Sequence, residues 1–226
     1  MKSYSAFDIM GPIMIGPSSS HTAGAARLAK IAAKIAEDDI KEVKFLLHGS
    51  FAKTYRGHGT DRALVAGILG MDPWDYRLRD SFKIADEKGL IFSFEETDLG
   101  DVHPNTVKFL IKDSKGIETS VTGSSIGGGN IVIFELDGQS IQFTGAYPTL
   151  IISHLDVPGM IYKVSNLLFQ ENINIASMNV YRRSKGSEAH TVVETDGEVG
   201  EKIVKLISSI ENVKNVEEIL PPTKGE

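Results

Sequence analysis

Apolar positions along this chain repeat with the periods of helices and of strands, and the pattern changes after residues 145–148. Leu28, Ile31 and Ile35 fall at i, i+3 and i+7, while Arg27, Lys30 and Lys34 repeat the spacing on another face, so residues 22–37 read as an amphipathic helix. Ala23, Gly24, Ala25, Ala26 and Ala29 keep its first turns thin enough for another backbone to approach. Ser20 or His21 is expected near its N-cap, where free amides favour an anion. Before it, Phe7, Ile9 and Met10 precede Gly11-Pro12, a short element and its breaker. Residues 43–47 form an apolar run bounded by charge, a buried strand, which runs into the polar stretch His48-Gly49-Ser50-Phe51-Ala52-Lys53-Thr54-Tyr55-Arg56-Gly57-His58-Gly59-Thr60-Asp61. That stretch is expected to be loop until a second helix opens at Thr60 or Asp61 and closes at Gly70. Asp72-Pro73-Trp74 marks a turn, and 82–85 and 90–94 are short elements. Strands at 107–111 and 117–122 flank a turn at 113–116, and 131–135 and 140–144 form another hairpin. Between these hairpins, residues 124–130 are expected to interrupt the strands, with glycines freeing the backbone for unusual angles.

After the linker Gly145-Ala146-Tyr147-Pro148 the rhythm becomes regular. Strands at 149–155, 173–181, 189–195 and 213–219 alternate with helices at 159–170 and 199–210, the first helix carrying Ile161, Val164, Leu167 and Leu168 on one face. The order βαββαβ is the split ferredoxin-like unit. The fold class is α+β: a mixed α/β domain over 1–146, then a ferredoxin-like domain over 149–226 whose last residues from Pro221 fray.

Composition narrows the partners. Hydrophobic residues make up 41% and charged residues 24%, ordinary for a globular protein, and the net charge of −6 without a basic block disfavours nucleic acid. Cysteine is absent, so the chain has no disulfide and no thiolate ligand, and an iron–sulfur centre would have to come from elsewhere. No run approaches the ~20 apolar residues that span a bilayer and no leader pattern opens the chain, so a cytoplasmic protein without membrane contact is expected.

The chemistry concentrates in Gly16-Pro17-Ser18-Ser19-Ser20-His21-Thr22. An imidazole titrates near neutral pH and serves as general acid or base. A lone loop histidine more often tethers or caps, but three serines and Thr22 beside this one have no packing purpose and favour function. His48 and His58 lie ten residues apart without a zinc-type spacing, so binding of a carboxylate or phosphate through backbone amides, Arg56 and Thr60 outweighs metal ligation. Asp61 fits a helix cap equally well. Gly127-Gly128-Gly129 lacks the P-loop lysine and carries no nucleotide claim; a tight bulge and a close partner backbone are even alternatives. His103 before Pro104 fits a turn better than a catalyst. In the second domain, Asp156 could hold an α-amino group beside the bare amides at Gly159, with Asn172 and Asn174 near, or could simply cap the helix.

Taken together, Gly16-Pro17-Ser18-Ser19-Ser20-His21-Thr22-Ala23-Gly24, His48-Gly49-Ser50-Phe51-Ala52, Gly57-His58-Gly59-Thr60-Asp61, His103-Pro104-Asn105 and Ser125-Ile126-Gly127-Gly128-Gly129 resemble the β chains of bacterial iron–sulfur L-serine dehydratases over the whole chain. The first domain is similar to the allosteric-substrate-binding type found in some phosphoglycerate dehydrogenases. The second, with Asp156-Val157-Pro158-Gly159, resembles an ACT domain. The resemblance implies deamination of L-serine to pyruvate and ammonia without pyridoxal phosphate. It also implies a Lewis-acidic [4Fe–4S] cluster held by cysteines of a partner α chain, and no metal ligand on this one. On this reading the 16–22 loop completes the site across a subunit interface, with His21 as acid or base and Ser18, Ser19, Ser20 and Thr22 on the substrate. His48, Arg56, His58 and Thr60 are assigned binding only, Asp156 and Gly159 an effector, and either domain a homodimer contact. The alternative is a non-catalytic regulatory module that binds serine or another small acid.

Overall fold

The computed structural model describes residues 13–36 and 39–221. The expected element at 3–13, around Phe7, Ile9 and Met10, and the tail from 222 lie outside the described residues, except for Ile13 itself. The chain divides into two compact units between Asp137 and Gly138.

In the first unit a π-helical turn, Ser19–Gly24, runs directly into α1 (Ala25–Ile35). Then follow β1 (Ile40–Leu47), α2 (Gly49–His58), α3 (Thr60–Ile68), a 3-10 turn (Tyr76–Asp80), α4 (Ser81–Glu87) and β2 (Ile91–Glu96). Strands β3 (Thr106–Asp113), β4 (Glu118–Gly127) and β5 (Asn130–Leu136) complete it, with the strands in the order β2-β1-β3-β4-β5. β1 is parallel to β2 and antiparallel to β3, and the remaining pairs are antiparallel. Alternation puts Val43, Phe45 and Leu47 of β1 and Val107, Phe109 and Ile111 of β3 in the core. Phe45 is in register with both Phe94 and Phe109, stacking on the first at 4.9 Å and meeting the second edge-on at 5.7 Å.

The thin start of α1 does what its sequence leads one to expect. Gly67 of α3 sits so close that a methyl group there would lie 2.3 Å from Ala26 O and 2.6 Å from Ala29 Cβ. On another side a methyl at Gly24 would strike Ser125 of β4.

Three expectations are corrected. The helix cap is Ser18, whose side chain accepts from His21 N, so the helical run begins ahead of Ser20 and His21. Residues 49–58 are helix α2 rather than loop: Phe51 and Tyr55 are buried one turn apart, and only the left-handed Gly59 separates α2 from α3. Residues 124–127 do not interrupt the sheet. Ser124 and Ser125 pair with Val132 and Ile131, and a register shift between Ser125 and Gly127 absorbs the irregularity. The hairpin turns on Gly128 and Gly129, both in the left-handed region.

The second unit opens with β6 (Gln139–Phe143) and continues β7 (Thr149–Leu155), α5 (Met160–Gln170), β8 (Ile175–Arg182), β9 (Glu188–Thr195), α6 (Glu201–Ser208) and β10 (Val213–Ile219). Its antiparallel sheet, ordered β10-β7-β9-β8, is the expected βαββαβ arrangement. Leu150, Ile152, Val193 and Val216 pack against Met160, Val164 and Leu168 of α5 and Ile203 and Ile207 of α6. Ile161 is not part of that face: it is 39% exposed, and Met160 takes the place one residue earlier that keeps step with Val164 and Leu168. No helix among the described residues is long and apolar enough to cross a membrane.

Candidate functional site

His21 leaves the π-helical turn toward the start of α2. Its Nε2 is 3.1 Å from Ser50 Oγ and its Nδ1 3.4 Å from Ser18 Oγ, so each ring nitrogen faces a hydroxyl that can donate or accept. Phe51 meets the ring edge-on at 5.3 Å and the His58 ring lies 5.0 Å away. Partial burial, helped by the nearby positive charge of protonated His58, lowers the His21 pKa below its ordinary 6.5. The ring is therefore neutral at neutral pH and can take up a proton. Ser19 and Ser20 are half-buried, and their hydroxyls have no hydrogen-bond partner among the described residues.

Ser50 is held from the other side. Its N–H donates to Pro104 O at 2.7 Å, and Phe51 N donates to the same oxygen at 3.3 Å. His103 accepts from Asn105 N through Nδ1 and is exposed, the turn role its sequence favours. Thr106 Oγ1 donates to His103 O and is 2.6 Å from Ser124 Oγ, fixing this loop to the sheet.

The other expected binding residues separate. His58 joins His21, whereas His48 turns to the 97–105 segment: its Nδ1 accepts from Leu99 N at 3.1 Å and lies 3.6 Å from Asp98. Arg56 is exposed and lies over the Tyr55 ring at 5.2 Å. Two further expected substrate contacts, Thr22 and Thr60, are buried. Thr22 is 1% exposed and its hydroxyl donates to His58 O at 3.4 Å; Thr60 is fully buried at the start of α3. Neither hydroxyl is open to a ligand arriving from solvent. Asp61 bonds Arg62 N rather than capping α3 from outside, and burial raises its pKa. No group of three or more His, Cys, Asp or Glu among the described residues could hold a metal.

Sequence reasoning missed Ser50 as the partner of His21. The only signal was a small polar residue opening a helix that itself was hidden. In the second unit Asp156 does not cap α5. It accepts from Gly186 N at 3.1 Å and from Arg182 Nη1 at 2.5 Å, which together hold its carboxyl below the usual range, and Gly159 precedes the helix in the left-handed region. Asn174 is paired with Asp196 at 2.6 Å.

A mixed α/β unit carrying a hydroxyl-flanked histidine and a ferredoxin-like unit of the ACT type define a two-module protein; the ACT domain family matches residues 149–212. The family described as serine dehydratase beta chain matches residues 5–87. The chain is 45% identical over 212 residues to the L-serine dehydratase, beta chain, of Peptoniphilus asaccharolyticus, covering 93% of this chain and 96% of that one. It is 42% identical to the probable L-serine dehydratase, beta chain, of Bacillus subtilis, covering 97% and 99%. D-3-phosphoglycerate dehydrogenase of B. subtilis is 27% identical, over 85% of this chain and 36% of its own. The chain belongs to the L-serine dehydratase beta-chain family.

Proposed function

We propose that this chain is the β subunit of an L-serine dehydratase and supplies His21 as the proton acceptor of a site shared with an α subunit. The observation that carries the reading is the neutral, half-buried His21 between Ser18 and Ser50, in a chain so close to known beta chains. The reaction removes the Cα proton and the β-hydroxyl of L-serine; the aminoacrylate that results hydrolyses to pyruvate and ammonia.

His21 accepts the Cα proton at one ring nitrogen while Ser18 or Ser50 steadies the other, so either tautomer is accommodated. The unpaired hydroxyls of Ser19 and Ser20, with the free amides that open the helix, bind the substrate carboxylate. The [4Fe–4S] cluster implied for this family supplies Lewis acidity when bound. The residues of this chain do not fit it, since the chain has no cysteine and no metal-binding group among its described residues; its place is the α subunit. His21→Asn in the αβ enzyme is expected to lower turnover about 10²-fold or more. Near-normal turnover would remove His21 from this role.

The ACT match favours a regulatory duty for the second unit, with Asp156 as the contact for an amino-acid effector. Such a ligand has to exchange with Arg182, which is ion-paired to the Asp156 carboxylate.

A further inference from the structure

We infer that Ser125 is a positioning residue that sets the separation of His21 and Ser50, an inference that rests on the proton-acceptor role proposed for His21. The two ends of the His21–Ser50 hydrogen bond come from different elements, the π-helical turn and the start of α2. Ser125 of β4 touches the support of both. Its side chain lies against Gly24, the last residue of the turn, so closely that a methyl group there would fall 2.0 Å from Oγ and 2.8 Å from Cβ. Its N–H donates to Asn105 O at 3.0 Å, and the preceding residue, Pro104, carries the oxygen that holds Ser50 N and Phe51 N.

A closed ring therefore runs from His21 through Gly24, Ser125, Asn105, Pro104 and Ser50 back to His21 Nε2. Arg27, one turn beyond Gly24, donates to Gly129 O at 2.6 Å and ties the same helix to the same hairpin, so the contact at Gly24 cannot open by a hinge. Within the ring Ser125 Oγ is buried and has no hydrogen-bond partner among the described residues. An unpaired buried hydroxyl is destabilising, so for stability alone alanine suits the position at least as well. The hydroxyl acts by its size. It fills the space under Gly24 and keeps the turn in the wide π form that aims His21 at Ser50.

The test compares Ser125→Ala, Gly24→Ala and the double variant Gly24→Ala/Ser125→Gly in the αβ holoenzyme and in the full-length chain. Ser125→Ala is expected to melt no lower than wild type. Its kcat on L-serine falls about tenfold or more with little change in KM, because a small displacement of a proton acceptor is costly. Gly24→Ala loses activity at least as far. The double variant recovers it, since the new methyl group occupies the space of the lost hydroxymethyl. Independently of turnover, the imidazole 15N signals of His21 shift in Ser125→Ala and return in the double variant. Unchanged His21 signals in Ser125→Ala overturn the positioning role. A wild-type holoenzyme that leaves serine untouched overturns the proposed function instead, while the imidazole signals still decide the positioning.

Discussion

Burial and the charge of His58 act on His21 in the same direction, favouring the neutral ring. Replacing His58 by Gln removes the second influence, so the acid limb of kcat/KM moves to higher pH while the limb of the wild type stays below the ordinary histidine value of about 6.5. An unmoved limb in a pH series would separate His58 from His21. The same shift bears on stability. The unfolded chain protonates this histidine before the folded one does, so stability is unaffected above about pH 6.5 and is lost as the pH falls from there through the depressed folded value. Melting temperatures between about pH 5 and 8 are expected to fall more steeply on acidification for wild type than for His21→Asn. His21 and its serines are adjacent in the chain, so the cluster itself is readable there. Ser50 is 29 residues away and Ser125 farther still, and their contacts exist only through folding.

Helices whose apolar residues repeat over several turns, as Leu28, Ile31 and Ile35 do, announce themselves. Helix α2 buries only Phe51 and Tyr55, and its glycines and charged residues masked that single pair. The glycine hairpin misled for a related reason. Gly127, Gly128 and Gly129 all have positive φ, but only the last two form the turn, and strand pairing persists up to it. The seam between α1 and α3 was legible as a run of small residues, although its partner, Gly67, was not. Gly67→Ala tests that seam. Alanine is ordinarily better than glycine inside a helix by about 1 kcal/mol, yet here the methyl group meets Ala26 O. A net loss of about 1–3 kcal/mol is expected in urea denaturation. A gain would show that α1 and α3 can move apart freely.

The whole molecule joins a mixed α/β unit, proposed to carry half a site, to an ACT unit with its own small core. The βαββαβ part of the second unit was nearly transparent in the sequence because its strands and helices bury regular faces, although the one-residue phase of α5, Met160 in place of Ile161, escaped. The first unit was harder, since the residues proposed to bind lie at the ends of elements, where Thr22 and Thr60 are buried. If the ACT unit senses L-serine through Asp156, Asp156→Asn abolishes the rise in melting temperature that serine gives the chain; a rise as large as in wild type rejects that contact.

On the proposed function, catalysis requires this chain. The most direct measurement of that requirement is anaerobic turnover of L-serine by cluster-loaded α alone, by β alone, by αβ, and by αβ carrying His21→Asn. Pyruvate formation by αβ only, lost with His21→Asn while the cluster absorbance is unchanged, is the predicted result. Full activity of the loaded α subunit by itself, with β merely shifting its kinetics, would contradict it.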